Sequence, residues 1–356
     1  MGLPVVPYLR GFAVVFLLAL LAKLTGQHTM LKSLGLGYAL WALAFGLLVA
    51  NTVGTPLWLL SGARSELFIK TGLVLLGAEI LFQKIVALGP PGLVVAWMVT
   101  PVVVLFMWFL GTRILRLASK SLVMVIACAT SVCGVSAAIA AAAACRAKKE
   151  ELTLAVGMTM IFTVGMMVGM PALCKLMGLD ELVGGAWIGG TVDSTGAVVA
   201  AGALLGETAE KVAAVVKMIQ NVLIGFIAFG IALYWVSVIE RDPHAPRPSP
   251  MEIWYRFPKF IIGFLGASLL FSLILVPLLG QDTVKEIHHV TKGFRGWWFA
   301  LAFVSIGLES NFRHLTAQLV GGKPIWLYII GQTFNVLLTL LAAWLAFGGI
   351  LFDKPL

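Results

Sequence analysis

The stretch Cys128-Ala-Thr-Ser-Val-Cys-Gly-Val-Ser-Ala-Ala-Ile-Ala-Ala-Ala-Ala-Ala-Cys145 is apolar and of membrane length. Its middle, however, holds Thr130, Ser131, Cys133, Gly134 and Ser136 rather than Leu and Phe. A helix in lipid must satisfy its own backbone groups, so helix-weakening residues at mid-depth persist only where protein or a water-filled cavity surrounds them. The pattern predicts an interrupted helix: Gly134 relieves the backbone at the break, and the run 137–144 supplies a half-helix behind it. The amino terminus of that half-helix presents free N–H groups and the positive end of its dipole, which attract an anion without a cationic side chain. Thr130, Ser131 and Ser136 add hydroxyl donors, and Cys133 completes the candidate cradle. The competing structural explanation is a Ser/Thr-rich helix packed tightly on a neighbour.

The surrounding chain makes the setting a membrane. Of its 356 residues, 60% are hydrophobic and 12% charged, with a mean hydropathy of +1.01, which excludes a soluble domain of this length. At about 20 apolar residues per helical span, the expected fold is all-α: a polytopic membrane helix bundle of about eleven transmembrane helices. They are placed near 9–25, 34–51, 66–86, 91–112, 119–145, 152–176, 182–205, 209–239, 258–280, 293–310 and 324–349. The apolar run 11–22 reads as a first helix rather than a removed signal. Cys128, Cys133, Cys145 and Cys174 match no zinc or redox spacing, and His28, His244, His288, His289 and His314 fall in connections or at span ends. No metal site is expected, and no Ser/His or Asp/Asp pair suggests an enzyme. The net charge of +9 is spread over short loops, so anionic lipid headgroups, not nucleic acid, are its expected partner. Lys and Arg are divided almost evenly between the two sides, which leaves the orientation open.

One polar connection is long, 240–258, and its five prolines forbid a continuous helix. It is expected to link an amino-terminal helix group (1–239) to a carboxy-terminal group (259–356) within one membrane domain covering 1–356. An internal echo relates Leu73-Val-Leu-Leu-Gly77-Ala-Glu79 to Phe303-Val-Ser-Ile-Gly307-Leu-Glu309. By the span count these two segments run antiparallel, as inverted-topology repeats require, although chance in an apolar background explains so short a match equally well.

A second interruption is expected at Gly189-Gly-Thr-Val-Asp-Ser-Thr-Gly-Ala-Val-Val-Ala-Ala-Gly202, which carries Asp193 among small residues. Close helix packing accounts for the glycines and alanines but not for the acid, since ionisable groups at mid-membrane usually face a cavity and a partner. Lys217 is the expected partner; Lys217, Gln220 and Asn221 share one helix face at spacings of three and four residues. Thr191, Ser194, Thr195 and Asn221 join the candidate substrate ligands, and Asp193 and Lys217 are the candidate coupling groups. Rival explanations are a packing ion pair and a Lys217 that snorkels to the interface. Glu79 and Glu309 are further candidates for proton or ion coupling, with solvation at helix ends as their plainer explanation.

These residues resemble a known family. Thr130-Ser-Val-Cys-Gly-Val-Ser-Ala, the 190–202 stretch, Val216-Lys217 with Asn221, and Ile306-Gly307-Leu308 are similar, in the same order over nearly the whole chain, to the YeiH-type family named for sulfate export. The resemblance implies a distant relation to bile-acid symporters and cation-proton antiporters. From that relation follow a transporter core with interrupted helices beside a panel bundle. At 193–197 this chain reads Asp-Ser-Thr-Gly-Ala, where the family pattern has His-Asp-Thr-Ala-Gln, so the resemblance leaves the substrate open within a class of small anions.

The expected function is secondary active transport of a small anion of the sulfate, sulfite or sulfonate type across a bacterial inner membrane, by alternating access coupled to protons or sodium. The alternatives are a cation-proton antiporter using Asp193 and a non-transporting channel, sensor or scaffold. No cofactor is expected beyond coupling H+ or Na+. The expected partners are the anionic solute, membrane lipids and a second copy of the chain.

Overall fold

The computed structural model describes residues 5–28, 37–80, 82–240, 249–311 and 322–354. Helices α1 (Val5–Gln27), α2 (Tyr38–Thr52), the short α3 (Leu57–Gly62) and α4 (Ser65–Glu79) come first. The long α5 (Phe82–Ile114) follows. Next are α6 (Lys120–Cys128), α7 (Gly134–Ala144), α8 (Lys149–Leu176), α9 (Glu181–Thr191) and α10 (Thr195–Leu205). The chain then runs through α11 (Glu207–Glu240), the short α12 (Met251–Arg256), α13 (Phe260–Leu279), α14 (Gln281–Glu309) and α15 (Lys323–Phe347). Among the described residues there is no strand, and seven helical stretches are long and apolar enough to cross a membrane. The chain is an integral, multi-pass membrane protein with an all-helical fold.

Packing sorts the helices into two groups. In the panel, α14 lies against α2 and α4, α13 against α4, and α1 against α2 and α3. In the core, α11 packs on α9 and α10, α15 on α9 and α5, and α8 on α10 and α7. The connection 240–258, of which 241–248 lie outside the described residues, leads from α11 in the core to α13 in the panel, and each bundle draws helices from both sides of it. The echoed Glu79 and Glu309 lie at opposite ends of the antiparallel pair α4 and α14. Glu309 accepts from Ser65 Oγ at the start of α4, and Glu79 at its end is held by Arg295.

The structure corrects the reading of 119–145 and 182–205 as straight spans, because both fold back on themselves as hairpins. In the first, Cys145 Sγ returns to Ser121 O at 3.9 Å, Glu151 accepts from Ser119 and Ser121, and Cys128 and Val132 face Ala137 and Ala141. In the second, the Leu205 side chain meets Gly184, and Glu181 accepts from the Thr208 and Ala209 amides at the start of α11. Arms α7, α9 and α10 have 11 residues each, about 16 Å at 1.5 Å per residue, or half of a ~30 Å hydrocarbon core. The 28-residue α8 connects the first hairpin at one end of the bundle to the second at the other. We call these the near end, where Ser119, Arg146 and Glu240 sit, and the far end, where Asp180, Glu207 and Lys354 sit. Arg146 pairs with Glu240 at the near end and Lys354 with Asp180 at the far end. Two hairpins thus enter from opposite ends, the relation expected of inverted-topology repeats. A further difference is α14: it begins at Gln281, so the polar stretch before 293, with His288 and His289, is helix rather than connection.

Candidate functional site

At the tip of the first hairpin a wide π-type turn, Ala129–Cys133, ends the entering arm. The chain reverses at Gly134, whose φ of 31° and ψ of −109° suit glycine alone. Such a turn releases carbonyls from the helix, and three of them here have partners from other elements. Thr130 O accepts from Asn335 Nδ2 at 3.2 Å, Ser131 O from Thr100 Oγ1 at 3.2 Å and Gln220 Nε2 at 3.0 Å, and Val132 O from Lys217 Nζ at 2.5 Å. The hydroxyls of Thr130 and Ser131 donate back to Ile126 O and Ala127 O, at 2.9 and 2.7 Å. These two residues therefore support the tip from behind instead of offering donors to a solute.

The second tip spans Val192 to Ser194. The last carbonyls of α9, Gly190 O and Thr191 O, accept from Gln220 at 3.1 Å and Gln332 at 3.2 Å. Ser194 caps α10 by accepting from Ala197 N at 3.2 Å, the side-chain capping that stabilises a helix start. Asp193 is fully buried, and Tyr328 Oη donates to its Oδ2. The expected pairing with Lys217 does not form. The Lys217 ammonium is engaged with Val132 O and Gln220 Oε1, both at 2.5 Å, so it neutralises the carbonyl end of the first hairpin's entering arm.

The tips touch. A Cβ on Gly134 would lie 3.0 Å from Asp193 O, and Cys133 Sγ stands 3.5 Å from Thr195 Oγ1, which also accepts from Asn221 Nδ2 at 3.0 Å. The returning arms α7 and α10 consequently start beside each other, from opposite ends of the protein. A cavity of about 500 Å³ reaches this point and is lined there by Cys133, Ser136, Ser194, Thr195 and Asn221. A second, of about 340 Å³, touches Gly134, Thr159, Ser194 and Gly196. Both run toward the near end, where Glu66 and Lys70, paired at 2.8 Å, border the larger. The structure thus brings Cys133, Gly134, Ser136, Ser194, Thr195 and Asn221 to the cavities, with Thr130, Ser131, Thr191, Asp193 and Lys217 in the protein behind them.

The far end is closed differently. Arg295 of the panel donates to Glu79 Oε1 at 2.8 Å and to Glu210 Oε1 of the core at 2.5 Å, with all three side chains at least nine-tenths buried. Glu79, a candidate coupling group with solvation at a helix end as its plainer explanation, is a buried ion-pair member instead of a solvated one. Lys292 and Glu207 add a second core-to-panel pair at 2.6 Å. A third cavity, of about 320 Å³ and lined by Lys84, Lys211 and His288, shares no lining residue with the other two.

Sequence reading missed Tyr328, Gln332, Asn335 and Thr339, although their spacings of four, three and four residues mark one polar stripe along an apolar helix. It also missed Glu210 and Arg295, whose partnership depends on two helices 85 residues apart.

A conserved hypothetical family, number 698, matches residues 10–328, and UPF0324 membrane proteins match along almost the whole chain. The one from Rhodopirellula baltica is 55% identical over 97% of this chain and 64% of its own length. The chain belongs to this UPF0324 family. A UPF0324 membrane protein of Nitratidesulfovibrio vulgaris is 53% identical over 98% of the chain and 61% of its own length, and one of Nitrosomonas europaea is 33% identical over 84% and 66%. The chain thus spans a little over three-fifths of the length of these three relatives. No solved structure matches it.

Proposed function

We propose that this UPF0324 chain is a secondary transporter of a small anion of the sulfate, sulfite or sulfonate type, working by alternating access in a bacterial inner membrane. The observation that carries this reading is the convergence of two half-helix amino termini, Gly134 of α7 and Thr195 of α10, on cavities that reach one end of the bundle. Free N–H groups and positive dipole ends suit an anion, and Ser136, Thr195 and Asn221 supply polar side chains around it. Transporters in which broken helices bind solute at mid-membrane place the same features at the interface of two bundles.

In this reading the site faces the near end, and the far end is held shut by Arg295 with Glu79 and Glu210, together with Lys292 and Glu207. Rocking the core against the panel would part these pairs and close the near-end cavities. Lys217 and Gln220 hold the two tips together, so the site travels as a unit. No bond is made or broken in the solute, and the energy comes from a coupled proton or cation gradient.

The test is uptake of labelled sulfate, sulfite and alkyl sulfonates into proteoliposomes, with and without imposed pH and sodium gradients. Saturable, gradient-dependent uptake of one class is expected; no uptake of any of them overturns the reading. A second reading, cation-proton exchange, is favoured by the burial of Asp193 at the second tip with a neutral donor, Tyr328 Oη, on one carboxylate oxygen. Sodium-dependent proton flux indifferent to anions would select it.

A further inference from the structure

Six buried side-chain N or O atoms among the described residues have no hydrogen-bond partner, and five are oxygens of residues around the second tip. They are Asp193 Oδ1, Thr191 Oγ1, Gln332 Oε1, Asn221 Oδ1 and Thr163 Oγ1, on residues no more than 7% exposed. Buried polar atoms are nearly always paired, and each orphan calls for an explanation such as an ion.

Three of the five are tied to one spot. Thr191 and Asp193 flank the break, and Gln332 donates its Nε2 to Thr191 O at 3.2 Å and turns the same side chain toward the Asp193 carboxylate as a weaker hydrogen-bond partner, which leaves its own Oε1 unpaired. Thr163 directly follows Phe162, which stacks on Tyr328 at 4.5 Å, and lies about one turn from Met166, whose sulfur receives Gln332 Nε2. Asn221 is joined to Thr195, two residues beyond Asp193. The carboxyl end of α9, with its negative dipole, points at the same place.

We infer that the second tip encloses a binding site for a small monovalent cation, sodium above all, held by Asp193 Oδ1, Gln332 Oε1 and Thr191 Oγ1. The donor set is all oxygen, the preference of hard cations rather than of transition metals. One carboxylate among neutral oxygens balances a single positive charge, whereas calcium sites draw on several carboxylates. Lys217 makes no direct contact with the carboxylate; its ammonium is bound to Val132 O and Gln220 Oε1, and its charge reaches Asp193 only through space. A proton on Asp193 would satisfy one or two of these oxygens; a cation satisfies the set. Occupancy would draw Asp193, Thr191 and Gln332 together and so fix the start of α10, the half-helix that faces the solute. The ion's use in coupling rests on the transporter reading, but the site itself does not.

The experiment is thermal unfolding of the detergent-purified full chain, with sodium chloride replaced stepwise by potassium or choline chloride at constant ionic strength and no oxyanion present. A ligand that binds the folded state raises the midpoint by mass action. The expected result is a saturable rise with sodium, at least tenfold weaker in apparent affinity for potassium and absent with choline. Asp193→Asn should abolish it, Gln332→Ala and Thr191→Val should weaken it at least tenfold, and Glu150→Gln, exposed at the start of α8, should leave it unchanged. Equal curves for the three cations overturn the proposal, as does a sodium response that survives in Asp193→Asn and in both other variants. A rise produced by acidification alone, with no difference among cations, also overturns it and makes Asp193 a proton site. Because no substrate anion is present, failure here is distinct from failure of anion uptake.

Discussion

Replacing Gly134 with alanine should push the two hairpin tips apart. The backbone there has a φ of +31°, a region that costs a residue with a Cβ about 1–3 kcal/mol. The new methyl would also lie 2.9 Å from Thr159 Cγ2 and 3.0 Å from Asp193 O. The threonine methyl can yield, but the carbonyl belongs to the opposing tip, and overpacking of this kind costs about 1–3 kcal/mol. Together these give an expected loss of roughly 2–6 kcal/mol, read as a lower unfolding midpoint in detergent. Anion uptake in proteoliposomes should fall to background, because the N–H groups of α7 would no longer meet those of α10. Thr159→Ala in the same chain should recover part of the stability and little of the uptake, since the Asp193 contact remains. Gly165→Ala, in open space on α8, is the control and should match the parent. A Gly134→Ala protein as stable and as active as the parent would refute the claim that contact between the tips builds the site.

Three other outcomes are expected. Arg295→Gln leaves two buried carboxylates without their cation and should cost about 3–5 kcal/mol, whereas Glu210→Gln retains the Arg295–Glu79 pair and should cost no more than about 1.5 kcal/mol; equal losses in thermal unfolding would contradict the described closure. Tyr328→Phe keeps the ring on Phe162 but removes the donor to buried Asp193, an expected loss of about 1–3 kcal/mol that an unchanged unfolding midpoint would exclude. Cys133 is the one described cysteine lining a tip cavity, so in oriented vesicles a small membrane-impermeant thiol reagent should label it from the face of Lys120 and Lys149 and not from that of Lys211 and Lys285. Labelling from the Lys211 face alone would reverse the assignment of the open end.

Much of the site is written locally in the chain. Gly134 among small and hydroxyl residues announces a break, and Asp193 in a glycine-rich apolar stretch announces another, because both residue types oppose a continuous helix in lipid. Lys217, Gln220 and Asn221 are recognisable as one polar face from their spacing alone. Their roles are another matter. The sequence pairs Lys217 with Asp193 by charge, yet the fold gives the ammonium to a carbonyl freed at the first tip and gives the carboxylate to Tyr328. Local pattern states which groups are polar and buried, while their partners come from helices up to 244 residues away in the chain.

By itself the sequence determined that this is an all-helical membrane protein and where its helices are interrupted, since apolar length and helix-breaking residues act over a few turns. It did not determine that the two interrupted segments double back, because two half-length arms contain as many apolar residues as one straight span. That was decided by tertiary contacts: Cys145 returning to Ser121, Glu181 capping α11, and the carbonyls of both tips finding donors on α5, α11 and α15. Backbone groups released in the middle of a membrane must be satisfied by protein, and only the folded packing of distant helices can supply those partners.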